Sequence, residues 1–439
     1  MKAAFLANPL IARVIKNSGY LFSATGITAI VSMVQGILAA RLLGVEGFGI
    51  LGTITMFTSV VNKFISFRMG ELVVKYVGQY SEADDKSRAA ALFKAAAIAE
   101  MSASLIAFAL IWILSPFAAR FFAKDVQLAH WFTIYGLIVI ANLIAETSTG
   151  LLQIFDRFRR MATLNVVQSV VTLAIITIVY VQKGGFGGIL AAYIVGKTIG
   201  AVGLTVAAIS EASRRWGKGW WKAPLSLLRP QARELVHFAI STNISASLSL
   251  INKDSELLWV SLLRNPLEAG YYKLALALAN MAQLPVSPLP QATYPEISRE
   301  VARKNWGNVR YILKRGSFLA GGYTLAISLG LLVLGRPLIR ILYTPEYLPA
   351  YPALLILLAG FLVANTFYWN RIALLAIGHP DIPTKINLVL AILKVIGMLW
   401  LVPRYGFLVS AALLAGSYLF GVTVSVIKFR SSLARKEKA

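Results

Sequence analysis

Long apolar runs alternate along the chain with short polar segments rich in Lys and Arg. A first set of runs lies near 19–40, 47–67, 93–114, 131–152, 162–181 and 188–209. A second set lies near 236–262, 269–289, 317–334, 352–375, 386–402 and 408–427. A helix needs about 20 mostly apolar residues to cross a bilayer, and each run approaches that length. Inside lipid every backbone N–H and C=O must be paired within the segment or across a closed barrel. The pattern therefore predicts an all-α polytopic membrane protein of about twelve transmembrane helices. Tight turns carrying Gly or Pro join some neighbours, as at Gly44-Val45-Glu46-Gly47 and Arg264-Asn265-Pro266-Leu267.

The polar segments orient the helices. With the N-terminus inside, the cytoplasmic segments hold 28 Lys and Arg against 8 in the outer loops. That is the asymmetry expected of a multispanning protein with both termini cytoplasmic. Lys2, Arg13 and Lys16 precede the run Gly19–Ala40, which is longer than a signal-peptide core and reads as a retained first helix. Four regions follow: an N-terminal lobe of six helices (1–209), a basic, Trp-rich cytoplasmic linker (210–235), a second six-helix lobe (236–427) and a basic tail (428–439). The linker, with Arg214-Arg215-Trp216 and Trp220-Trp221-Lys222, suits the membrane–water interface; a part in substrate capture is its other reading. The lobes match weakly at an offset of about 220 residues, Gly44–Gly49 against Asn265–Gly270. Six spans per lobe make this a parallel repeat with a pseudo-two-fold axis along the membrane normal, a design that binds substrate between the halves.

Composition narrows the function classes. Of the 439 residues 57% are apolar and only 14% charged, against roughly a quarter charged in a soluble domain. The net charge of +24 would suggest nucleic acid in a soluble protein, but here the cations sit between spans and topology explains them. No cysteine is present, and His130, His237 and His379 are too scattered for a metal site. No phosphate-binding loop, nucleotide fingerprint or zinc helix occurs. Gly184-Gly185-Phe186-Gly187-Gly188 lacks the following Lys-Ser/Thr and reads as a turn. The outer loops are each under about twenty residues, too short for a folded catalytic domain. A transporter without cofactor is expected, with H⁺ or Na⁺ as a coupling ion.

Charges inside the spans carry the candidate chemistry. Each costs about 2.5–3.5 kcal/mol at a helix centre, so each is expected to face a cavity or a partner. Lys197 and Lys394 lie near the bilayer middle, too deep to snorkel. Lys253, Asp254 and Glu256 fall in the outer part of helix seven, Glu146 in the inner third of helix four and Arg371 in that of helix ten. Lys63 and Lys273 lie nearer helix ends and either snorkel or face the cavity. Arg371 is open to an anchoring role, and Lys253 to a structural bridge with Glu256 or Asp254. Helix seven is polar on two faces: Ser241, Ser245, Ser249, Asn252 and Glu256 on one, Asn243, Ser247 and Asp254 on the other. It is expected to line water. The excess of cations (Lys197, Lys394, Lys253, Arg371, Lys63, Lys273) favours an anionic substrate. Glu146, Asp254 and Glu256 are candidates for binding a coupling ion.

Three stretches carry a family resemblance: Ala40-Arg41-Leu42-Leu43-Gly44-Val45-Glu46-Gly47-Phe48-Gly49; Phe67-Arg68-Met69-Gly70-Glu71; and Ala269-Gly270-Tyr271-Tyr272-Lys273-Leu274-Ala275, followed by Leu284-Pro285-Val286-Ser287-Pro288-Leu289-Pro290 and Tyr294-Pro295-Glu296. Together they resemble the polysaccharide-transporter (Wzx-type) flippases of the multidrug/oligosaccharidyl-lipid/polysaccharide (MOP) exporter superfamily. The resemblance implies movement of an undecaprenyl-diphosphate-linked oligosaccharide from the inner to the outer leaflet by alternating access, driven by an ion gradient. It also implies a bacterial or archaeal plasma membrane, with membrane lipids and polysaccharide polymerases as partners and no nucleic acid. It supplies no individual site residue. Pro285, Pro288 and Pro290 would break backbone bonding at the end of helix eight, as a moving bend or as a fixed kink. A cation-coupled small-molecule or drug exporter of the same superfamily is the alternative; the excess of intramembrane Lys argues against it. The lipid II flippase branch usually carries two further helices, and a glycan transferase would need an acid/base set that is missing.

Overall fold

A computed structural model describes residues 9–66, 68–240, 243, 255–379 and 381–438. Among them the regular structure is helical, and nine helices are long and apolar enough to cross a membrane. The chain divides into two compact units, 1–43 with 54–250, and 44–53 with 251–439.

The first helix, α1 (Pro9–Ile65), serves two spans. It is interrupted at Gly44, whose φ of 68° lies in the left-handed region that favours glycine. The predicted turn at Gly44–Gly47 is thus a single-residue break. In the first unit α1 is followed by α2 (Met69–Leu72), a π-turn (Val73–Val77), α3 (Gly78–Glu82) and α4 (Lys86–Ala118). Asp85 caps α4 by accepting the Arg88 N–H at 3.0 Å. Next come α5 (Ala129–Ala141), α6 (Ala145–Ile154), α7 (Phe158–Val181) and α8 (Phe186–Trp216). The run 131–152 was expected as one helix; the chain leaves helical geometry at Ile144 (φ −136°, ψ 30°) and restarts as α6.

Small residues set the packing, as in other membrane bundles. Gly196 and Gly200 of α8 lie on Thr172 and Gln168 of α7, and a Cβ at either would overlap those side chains. The linker 210–235 belongs to this unit. Its Trp216 and Trp220 pack on Phe93, with ring centres at 5.8 and 5.2 Å, while Trp221 is exposed.

The described helices of the second unit are α9 (Glu256–Leu263), α10 (Pro266–Met281), α11 (Leu289–Ala302), α12 (Trp306–Leu342), α13 (Ala350–Thr366), α14 (Asn370–Ala376), α15 (Asp381–Tyr405) and α16 (Phe407–Lys438). Asn265 caps α10 by accepting the Glu268 N–H at 2.9 Å. The proline cluster ends α10 rather than bending it: residues 282–288 form turns before α11 begins. Helix nine, expected at 317–334, is the 37-residue α12. Charges at its ends do not stop a helix, and Asn305 caps it through the Asn308 N–H at 3.3 Å. Large apolar side chains stay exposed along the long helices, including Trp112, Ile113, Phe318, Val333, Ile396 and Trp400. Lipid is the solvent that makes such surfaces stable.

Candidate functional site

The break in helix four organises the intramembrane charges of the first unit. Asn142 turns back to donate to the Ile138 carbonyl at 2.7 Å. The first N–H groups of α6 then lack helical acceptors, and a carboxylate from α4 supplies them. Glu100 is 3% exposed; its two oxygens accept the Glu146 and Thr147 N–H groups, each at 2.8 Å. A negative charge at a helix N-terminus is favoured by the helix dipole. The crossing beside it depends on glycines: a Cβ on Gly70 would lie 2.9 Å from the Glu146 carbonyl oxygen, and one on Gly150 2.7 Å from that of Gly70. Gly70 belongs to one of the three stretches that carry the family resemblance.

Glu146 itself is exposed and lies within electrostatic reach of Arg68, Glu71 and Lys63. Lys63 is exposed in the last turn of α1. Lys197 stands on α8. Val195, Ile199, Val202, Val206 and Ile209 are all exposed and fall within an arc of about 80° at 100° per residue, a lipid-facing stripe. Lys197 points about 160° from the centre of that stripe, on the side where Leu190, Gly200, Ala201 and Ala208 are buried. Its own side chain is nonetheless exposed. It is thus an exposed cation on the side of α8 away from that stripe.

The second unit treats its charges differently. Lys394 of α15 is 5% exposed and Glu256, the first residue of α9, 1% exposed; the two form a buried ion pair. Lys394 thus has a carboxylate partner 138 positions away in sequence, where the sequence suggested Lys253 for Glu256. Lys273 does not snorkel: its ammonium donates to the Phe48 carbonyl at 3.1 Å and lies 3.8 Å from the centre of the Phe48 ring, with its stem against Gly52. Arg371 is exposed at the start of α14. Lys253 and Asp254 lie outside the described residues, as do Ser241, Ser245, Ser247, Ser249 and Asn252 of the polar helix.

The geometry brings Lys63 and Glu146 into one electrostatic neighbourhood and joins Lys394 to Glu256. Glu100 was absent from the sequence-based candidates. Its signal was present, a lone acid in the apolar run between Lys94 and Ala118.

Long helices with exposed apolar faces and charges set among them are shared with solved membrane proteins. A multidrug resistance MATE family transporter of the MOP superfamily, in its inward-facing conformation, superposes with a TM-score of 0.74 at 14% identity, covering 94% of this chain and 96% of that one. The lipid II flippase MurJ, in an inward closed conformation, gives 0.70 at 14% identity, covering 95% and 90%. These fix the fold. The family follows from sequence: the model of the polysaccharide biosynthesis protein family matches residues 14–301, and the chain belongs to that family. It is also 24% identical over 344 residues to inner membrane protein YghQ of Escherichia coli (strain K12), covering 77% of this chain and 94% of that protein. The chain thus combines membership of that family with the fold of these membrane proteins, and nine helices among its described residues are long and apolar enough to cross a membrane.

Proposed function

We propose that this transporter flips a polyprenyl-diphosphate-linked oligosaccharide, of the undecaprenyl type, from the cytoplasmic to the outer leaflet in surface polysaccharide synthesis. The cycle is alternating access coupled to an H⁺ or Na⁺ gradient. The observation that carries the reading is Lys197, a cation exposed on the side of α8 opposite its lipid-facing stripe. An ammonium held there at bilayer depth offsets the cost of bringing a diphosphate into the membrane, while the polyprenyl tail stays in lipid. Membership of the polysaccharide biosynthesis family supports a glycan cargo. Lys63, exposed near the inner end of its span, supplies positive charge on the entry side. Lys394, buried against Glu256, contributes through the fold of the second unit rather than by touching the diphosphate.

The test is leaflet transfer of a fluorescent undecaprenyl-diphosphate oligosaccharide in proteoliposomes. Lys197→Ala is expected to slow transfer roughly tenfold or more, the worth of one charge-assisted contact, with little change in thermal stability because the side chain is exposed. Lys197→Arg should keep most of the rate. Transfer that is unaffected by Lys197→Ala would remove Lys197 from the path. The multidrug transporter among the structural neighbours supports a second reading, small-molecule export. Folded protein that moves cationic dyes under an ion gradient, and no lipid-linked glycan, would establish it.

A further inference from the structure

Two carboxylates of the first unit are buried to the same degree, and their partners differ. Glu211, 3% exposed, is held by cations: Arg157 donates to it from Nε at 3.0 Å and from a terminal nitrogen at 2.8 Å, and Arg215 adds a contact at 3.3 Å. Glu100, also 3% exposed, lies within ion-pair distance of no Lys, Arg or His among the described residues; its neighbours are neutral, two backbone N–H groups and the Thr147 hydroxyl. Its acidic neighbour is Glu146, which is exposed and can exchange protons with water.

The other ionisable groups on the surrounding elements are accounted for. Lys75 donates to Tyr76, and Tyr76 to Glu234. Lys94, on the same helix as Glu100, donates to the Ala223 carbonyl. Tyr80 bonds Gln231. Arg68 and Glu71 pair with each other and, with Lys63, act on Glu146. Tyr135 of α5, and Tyr193 and Lys197 of α8, make no hydrogen bond or ion pair with Glu100. An isolated carboxylate in lipid is costly in its charged form and far less so when protonated.

We infer that Glu100 is the site where this transporter binds and releases its coupling proton, with Glu146 as the relay to the cytoplasmic side, and that its proton occupancy controls the break between α5 and α6. The inference rests on the transport reading above. The step is a simple protonation: the carboxylate takes one H⁺, so one oxygen becomes a hydroxyl, a new donor and a weaker acceptor for the N–H it faces. The Glu146 or Thr147 N–H on that oxygen is then held less firmly, and the backbone around Ile144, already outside helical geometry, is where the chain can turn to offer it another acceptor. Protonation of a single group is thereby converted into a change in helix direction.

The experiment is an infrared pH titration of the protonated-carboxyl band in the full-length protein in liposomes, followed by transfer of the labelled lipid-linked glycan with and without an outside-acid gradient. Wild type is expected to show a titrating band that Glu100→Gln loses and that Glu100→Asp retains at a shifted pH. Glu146→Gln should keep the band but slow its response to a cytoplasmic-side pH jump. Gradient stimulation of transfer should be present in wild type and lost in Glu100→Gln. A band unchanged by Glu100→Gln, or gradient stimulation that survives it, overturns the proposal. The infrared arm needs no substrate, so a titrating Glu100 in protein that moves no lipid-linked glycan would count against the glycan reading while upholding the proton site.

Discussion

Glu100 in the first unit and Glu256 in the second are both buried acids in membrane-spanning segments, and opposite means hold them there. Glu256 faces an ammonium, Lys394, in a buried ion pair, so its charge is balanced locally. Glu100 faces two amide dipoles at a helix start, which stabilise a negative charge without cancelling it. A pair of ions in lipid behaves as a fixed strut, since neither member changes state without stranding the other. A carboxylate on neutral donors has an inexpensive second state, the protonated one. The two units therefore divide the work: the second carries a charge built to stay, the first one built to change.

The largest effect follows from breaking the strut. Lys394→Met leaves Glu256 buried without its cation, at a cost of about 3–5 kcal/mol. It is expected to lower the thermal unfolding temperature sharply in detergent and to reduce the yield of monodisperse protein. Adding Glu256→Leu removes the stranded charge, and the double variant should recover most of that loss. A double variant as unstable as the single one would mean that the pair does more than neutralise itself.

A smaller effect is expected at Glu100. The amide of Glu100→Gln has one acceptor oxygen where the carboxylate has two, so either the Glu146 or the Thr147 N–H is left facing an amide hydrogen. An unsatisfied buried donor costs about 1–3 kcal/mol, which thermal unfolding reads directly. The variant's stability should be independent of pH at this site, whereas wild-type stability should rise as the medium is acidified and Glu100 takes up its proton, because burial disfavours the charged form. A wild type and a variant whose stabilities run parallel with pH would show that the Glu100 carboxylate does not change state.

The same contrast explains what could be read from the amino acids. Fold class and most spans were legible, because apolar runs near 20 residues have no alternative in lipid. The ends of α12 were not: hydropathy stops at Lys314-Arg315, whereas the helix begins at the Asn305 cap. The break at Asn142–Ile144 has no Gly or Pro to announce it. It is sustained by a carboxylate 46 positions upstream, a contact that no local rule predicts. Depth singled out Lys197 and Lys394 equally. Lys394 has a partner 138 residues away, and only the fold distinguishes it from Lys197, whose exposed side chain lies opposite a lipid-facing stripe. Glu100 was legible in principle, as an acid in an apolar helix, but the run of flanking alanines gave no hint of its partners.

The smallest prediction sharpens the picture of the second unit. Tyr272 is completely buried, and its hydroxyl has no hydrogen-bond partner among the described residues, although it lies within electrostatic reach of Glu256. If Lys394 fully satisfies Glu256, the hydroxyl contributes only the cost of burying an unpaired polar group. Tyr272→Phe keeps the ring and removes that cost, so stability should stay level or rise by up to about 1 kcal/mol. A loss of about 1 kcal/mol or more on Tyr272→Phe would instead mean that the hydroxyl donates to the Glu256 carboxylate in the working protein. Glu256 would then rest on a cation and a neutral donor together, and releasing Lys394 would remove only part of its support. The Lys394→Met variant should in that case lose less than its full penalty, and the loss should return when Tyr272→Phe is added.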